Sequence, residues 1–212
     1  MTPVRGNPDT RLSLIRAAER LFGERGVDGV SMREVAREAG QRNHSAVLYY
    51  FADKAALIDA LLARHSDPIQ RDWSATLAHI AATRPQGASL AELVSLLVRP
   101  LVRKIDDPDG GRDYLFVVAD LVTSRSQPLL QFPATMAPGI LELQGALLRH
   151  MPPLPPALLA ARMLRVAATM YCSIADYARM HGDGSDLSRD AFADDLIASL
   201  HALFEAPAQL DT

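Results

Sequence analysis

Residues 41–45, Gln-Arg-Asn-His-Ser, bring two amides, a guanidinium, an imidazole and a hydroxyl into one short stretch. Every one of them can donate a hydrogen bond, and all except the arginine can also accept one. Gln41, Arg42, Asn43, His44 and Ser45 therefore carry the chemistry needed to read base edges, where arginine suits guanine and asparagine or glutamine suits adenine. The same residues also suit a solvated turn ending in a helix cap. Tyr50 and Lys54 follow four residues apart, and each can donate to a phosphate oxygen, a contact that positions a protein on a duplex without reading its sequence.

The elements that would hold these groups are legible on both sides of them. Ser31 and Glu34 form an S-x-x-E capping box, in which each side chain satisfies a free backbone N–H at a helix start. Met32, Val35, Ala36 and Ala39 then repeat at the spacing of one buried helix face, and Gly40 stands where that helix needs a left-handed residue. Asn43 is a good N-cap for a second short helix carrying Val47, Tyr50 and Phe51 on one side. Two short helices joined by a glycine-bearing turn make a helix-turn-helix, which lays its second helix in the major groove. Upstream, Asn7 before Pro8 reads as an N-cap with proline at N1, with Thr10 as the alternative cap. Leu14, Ile15, Ala18, Leu21 and Phe22 form the stripe of an opening helix that ends at Gly26. The valines of Val27–Val30 are expected to plug the small core between these three helices.

The stretch from about Arg11 to Leu62 resembles the DNA-binding domain of the TetR family of bacterial transcriptional regulators. The matching pieces are LIRAAERLFGERG, SMREVAREAG and the YYF-x-x-K run leading into a long helix. Tyr50, Phe51 and Lys54 fit the family pattern; Leu48 stands where the pattern has its first tyrosine, and the turn QRNHSA is about one residue longer than usual. The resemblance implies DNA contact by Arg33, Gln41, Arg42, Asn43, His44, Ser45, Leu48, Tyr49, Tyr50 and Lys54, with Tyr50 and Lys54 on phosphate. It also implies a homodimer on palindromic double-stranded operator DNA, usually acting as a repressor and released by a small hydrophobic effector. In relatives the helices carrying Trp73, Phe116, Asp120, Met136, Met170 and Tyr171 line the ligand cavity. These residues equally suit an ordinary core. Pairing through the last two helices would use Val166, Met170, Ile174, Leu196, Leu200 and Phe204.

The rest of the chain fits that frame. Of 212 residues, 49% are apolar and 22% charged, ordinary values for a globular protein with room for a small domain and a medium one. The net charge of −3 is unevenly spread: residues 1–66 hold ten Lys/Arg against eight Asp/Glu (+2), and residues 67–212 hold twelve against seventeen (−5). That asymmetry turns the N-terminal part toward phosphate. No uninterrupted apolar run approaches the length of a membrane span, no membrane partner is expected, and the N-terminus lacks the apolar segment of a secretory signal. The single cysteine, Cys172, allows no internal disulfide and suits the cytoplasm.

Periodicity predicts an all-α chain of about nine helices with no strand, divided into a tail (1–6, expected disordered), a helix-turn-helix domain (7–66) and a ligand-binding and dimerisation bundle (67–212). Asp67-Pro68 is expected to kink or interrupt a helix. DDPDGG at 106–111 lacks the order of a calcium loop. His181, Asp183 and Asp186 read as turn residues rather than metal ligands. No cofactor is expected. The competing reading is a helical-bundle enzyme or binding protein whose N-terminal helices are only structural. Against it stands the lack of metal-ligand spacing, of a glycine-rich phosphate loop and of a nucleophile elbow.

Overall fold

Two S-x-x-E sequences start helices by the same reciprocal capping. Ser31 caps through Glu34, and Ser89 caps through Glu92. In a computed structural model describing residues 8–41, 45–126, 128–180 and 186–207, the chain forms nine α-helices and no strand among the described residues. They are α1 (Pro8–Arg25), α2 (Met32–Glu38), α3 (Ser45–Tyr50), α4 (Lys54–Thr83), α5 (Leu90–Arg103), α6 (Gly111–Thr123), α7 (Pro138–Leu148), α8 (Pro156–Met180) and α9 (Arg189–Glu205). Short 3-10 turns follow α5 and precede α7. Proline opens α7 at its first turn, where the missing N–H has no partner to lose. Ser188 caps α9 by accepting from the Ala191 N–H at 3.2 Å. Of the two outcomes expected at Asp67-Pro68, a kink or a new helix start, the second does not occur: α4 continues through Pro68. The tail 1–6 and the cap Asn7 lie outside the described residues.

The helices sort into two compact units. The first comprises Met1–Asp67 together with Asp107–Thr135, and the second Pro68–Asp106 together with Met136–Thr212. The first unit is therefore discontinuous in sequence. Its core joins Leu14, Ala18 and Phe22 of α1 to Val35 of α2, Val47 of α3 and Leu57, Ile58 and Leu61 of α4, all buried. The α6 segment packs along α1 and adds Leu115, Val118 and Leu121.

A charged cluster crosses that interior. Glu19, 2% exposed, accepts from Arg64 Nη1 at 2.7 and 3.0 Å and lies 2.5 Å from His65 Nε2. His65 stacks on Tyr114 with ring centroids 4.7 Å apart. Arg64 also pairs with Asp109, which Arg16 holds at 2.8 Å. Burial works against ionisation of Asp109, but the Arg64 and Arg16 guanidiniums keep its carboxyl below the ordinary value. Opposite charges in close contact offset the desolvation that would make a lone buried Glu19 costly. Gly110 matters here: its φ is +82°, and a Cβ would sit 2.3 Å from Glu19 Oε2.

In the second unit α5 is the central helix, packed on α7, α8 and α9. Its apolar residues Leu93, Val94, Leu97, Val98, Leu101 and Val102 are buried. This arrangement corrects the expected dimer surface. Leu196, Leu200 and Phe204 of α9 are 4%, 0% and 0% exposed, and Val166, Met170 and Ile174 of α8 are 3%, 3% and 0% exposed within one subunit. Their stripes are covered by the subunit's own helices, so they have no surface left for a partner.

The helix α8 is also long and apolar enough to cross a membrane by length and composition alone, which no unbroken apolar run in the sequence had indicated. Its buried face includes Arg162, whose guanidinium donates to the Ala206 carbonyl. Only 22% of the most apolar 18-residue stretch is buried in the subunit.

Candidate nucleic-acid interface

The capping box that starts α2 is complete. The Ser31 hydroxyl accepts from the Glu34 N–H at 3.3 Å, and Glu34 Oε2 accepts from the Ser31 N–H at 2.9 Å. The Ser31 N–H bond, then that of Arg25, hold the Glu34 carboxyl down to about 2. At the other end Gly40 takes φ +71°, and the Gln41 N–H returns to the Ala36 carbonyl at 2.9 Å. This is the left-handed glycine termination that allows α2 to stop and the chain to turn.

After that turn, α3 is short and two-sided. Val47 is fully buried, whereas Leu48 is 54% and Tyr49 58% exposed. Tyr49 and Tyr50 meet edge to face with centroids 5.1 Å apart. Arg33 is exposed on α2, and Gln41 and Tyr50 are half-buried. A six-residue helix has little reason to show a leucine and a tyrosine to water, and exposed apolar groups of this kind mark contact surfaces. Arg42, Asn43, His44 and the side chain of Ser45, the expected base readers, lie outside the described residues.

Lys54 departs from its expected role. Its ammonium, which the resemblance assigns to phosphate, turns inward and donates to the Val27 carbonyl and, at 2.7 Å, to the Val30 carbonyl. It also stands 5.5 Å from the centre of the Phe22 ring. Burial lowers its pKa, while Asp28, Asp120 and Glu34 oppose that fall. The physical reason is local. The turn joining α1 to α2 exposes carbonyls toward the start of α4, and a long cationic side chain at the first position of α4 reaches them.

The same turn is held from another side. Asp120 Oδ2 accepts from the Val27 N–H at 2.8 Å, and Ser126 donates to Asp28. Sequence reasoning assigned Asp120 to a ligand cavity and did not find this role; its partner is 93 positions away, and no local pattern signals it.

The other candidate ligand residues are divided between the two units. Phe116 and Asp120 belong to the first unit, and Trp73, Met136, Met170 and Tyr171 to the second. Trp73 is buried and donates its indole N–H to the Leu96 carbonyl at 2.8 Å. Met170 is buried, whereas Met136 is 45% exposed. Desolvation pushes the Tyr171 phenol up to about 12. A groove of about 530 Å³ runs between α4 and α5 in the second unit, with Ile80, Leu96 and Pro100 along it and Arg84, Arg99 and Arg103 at its edges. None of the six candidates lines it. The repeat of Arg99 and Arg103 opposite the apolar stripe of α5 is the sequence signal that could have found it. Among the described residues no group of three His, Cys, Asp or Glu side chains is arranged to hold a metal ion.

Comparison with known proteins fits this architecture. Residues 14–61 match the family described as bacterial regulatory proteins, tetR family, and residues 95–206 match the tetracyclin repressor-like C-terminal domain. No curated protein matches the chain. Among solved structures, a tetR family transcription regulator from Shewanella superposes with a TM-score of 0.59 at 14% identity, over 93% of this chain and 99% of that one. The fatty acid degradation regulator FadR from Bacillus halodurans gives 0.56 at 14% identity, over 94% and 96%. FadR from Bacillus subtilis, in complex with stearoyl-CoA, gives 0.56 at 15% identity, over 90% and 97%. These similarities are ones of fold. With both halves matched by its family models, the chain belongs to the TetR family of bacterial regulatory proteins.

Proposed function

We propose that this protein is a ligand-responsive transcriptional regulator, a repressor that binds a palindromic operator as a homodimer in the cytoplasm and lets go when a small effector binds. The observation that carries the DNA-binding part is α3 itself: Leu48 and Tyr49 stand exposed on the helix after a capped, glycine-terminated α2. In this reading residues 7–66 carry the DNA contacts and 67–212 the sensing and pairing surfaces. Gln41, Arg42, Asn43, His44 and Ser45 read bases, Leu48 and Tyr49 add apolar contact, and Arg33 and Tyr50 meet the backbone.

For pairing, the supporting feature is the uncovered side of α8. Ala157, Ala161, Leu164, Ala168 and Cys172 form a stripe opposite the buried one, with Leu164 55% exposed. Small residues allow two such helices to approach closely, and isologous pairing is the commonest solution for such a face. A dimer presents two recognition helices to half-sites about 34–36 Å apart. For the effector, the supporting feature is the groove beside α5, where Ile80, Leu96 and Pro100 suit an apolar molecule, while Arg84 and Arg99 are already paired with Glu92 and Asp194. Such a molecule shifts DNA binding only by the difference in its affinity for the two forms.

The test is to select fragments of the source genome with the purified protein and sequence them. Enrichment of an inverted repeat with half-sites about one helical turn apart is expected. Recovery of random fragments alone would refute the reading.

A further inference from the structure

The turn between α1 and α2 is held at a single residue from two sides. Val27, 1% exposed, has its N–H taken by Asp120 of α6 at 2.8 Å and its C=O taken by Lys54 of α4. Asp120 satisfies a donor just past the end of α1, where the preceding Gly26 N–H makes the closing helical bond to the Phe22 carbonyl. The next residue, Asp28, is bonded by Ser126 from beyond the same helix. Ser31, the cap of α2, follows closely, and α2 packs on α3. Whatever fixes the turn therefore fixes the direction in which α2, and through it α3, leaves α1.

We propose that Asp120 is a positioning residue for DNA reading, and that the working DNA-binding unit is residues 1–67 plus the 107–135 segment rather than the N-terminal sequence alone. The carboxylate acts from inside the unit, on a buried peptide group, and sets the pose of the reading helix without lying on it. This use differs from the cavity role that its resemblance implied. The charge is suited to the place: with Asp28 and Glu34 it supports the Lys54 ammonium, which donates to the carbonyl of the same residue, Val27. A buried N–H left without its acceptor is destabilised, which lets the turn relax to other poses while the apolar core persists.

The proposal rests on the DNA-binding reading, so the wild-type protein is measured first. Wild-type protein that enriches no sequence from a random duplex pool would fail that reading, not this one. With an enriched duplex and its shuffled version as probes, full-length Asp120→Ala, Asp120→Asn and Ser126→Ala are titrated alongside wild type. Asp120→Ala is expected to lose about tenfold in preference for the enriched duplex, the equivalent of one charge-assisted hydrogen bond. Its binding to shuffled DNA should hold and its Val27 amide should exchange faster. Asp120→Asn, whose amide oxygen still accepts, should restore most of the preference. Unchanged preference in Asp120→Ala overturns the proposal, as does Asp120→Asn failing as badly as the alanine variant. If Asp120→Ala does not fold, Ser126→Ala decides, since it removes only exposed bonds, to Asp28 and to Ser124. A reduced preference then supports the proposal, and an unchanged one overturns it.

Discussion

Replacing Lys54 with methionine separates two roles that one ammonium can play. Methionine keeps the length and the apolar stem against Phe22 but removes the charge. Two hydrogen bonds disappear, to the Val27 and Val30 carbonyls. A bond involving a charged group contributes about 1.5–3 kcal/mol net. The side chain is half-buried and its ammonium already loses hydration, the cause of its lowered pKa, so the lower end applies to each bond. Methionine recovers part of this through packing, leaving a net loss of about 2 kcal/mol. For a chain of 212 residues that corresponds to a fall in Tm of about 4–8 °C. The assay pairs a thermal melt with DNA titrations at several salt concentrations. The inward geometry predicts the lower Tm with a salt slope near that of wild type. A Tm within a degree of wild type, with the slope reduced by about one, would mean that Lys54 neutralises a phosphate instead.

Further outcomes follow from other parts of the molecule. Glu34 and Glu92, each held down to about 2, chiefly by the Ser31 N–H and by Arg84 respectively, should stay ionised as the pH falls below their ordinary value of 4.5. Because their folded values are depressed, the stability they add is present above about 4.5 and lost as the pH approaches 2; side-chain carbon NMR titrations with midpoints near 4.5 would contradict this. Gly110→Ala combines a left-handed backbone with a Cβ driven into Glu19 and should cost about 3 kcal/mol by thermal or urea melt. Gly87→Ala, also left-handed but facing open space, should cost only about 1 kcal/mol, and equal losses would remove the Glu19 collision from the account. Leu200→Asp puts a charge at a fully buried site and should unfold the subunit by about 4 kcal/mol or more, whereas exposed Leu164→Asp should leave the fold intact and yield monomers by sedimentation. A folded Leu200→Asp monomer would restore α9 as the pairing face.

Local features were legible from the sequence because their causes are local. The box Ser31/Glu34, the stop at Gly40 and the cap Ser188 each depend on residues within a turn of one another, and all three are present. The apolar spacing of α9 marked a stripe, read as a pairing face, that the subunit itself buries. It could not say what buries it, because periodicity carries no information about the partner, and α5 lies about a hundred residues earlier. Lys54 was misjudged for a related reason: a lysine at a helix start can turn toward phosphate or toward its own backbone, and only the fold supplies the Val27–Val30 carbonyls. Asp120 and Asp109 meet partners 93 positions away, on α1 and the turn after it. Pro68 left a kink and a new helix start both open: a proline removes one hydrogen bond, and a 30-residue helix absorbs that loss without ending.

The discontinuity of the first unit bears on how such regulators can be recombined. A chimera made by one cut after Asp67, joining this reader to a foreign sensor, would leave the 107–135 segment behind. Val27 would lose its acceptor, His65 its stacking partner Tyr114, and α1 the helix that covers it. Such a fusion is built to misfold or to read DNA loosely whatever linker is chosen. A transplant that works needs three junctions, near 67, 106 and 135, so that α6 travels with the helices it holds. By the same logic, simple end-joining after residue 67 would not carry the whole first unit into a new protein.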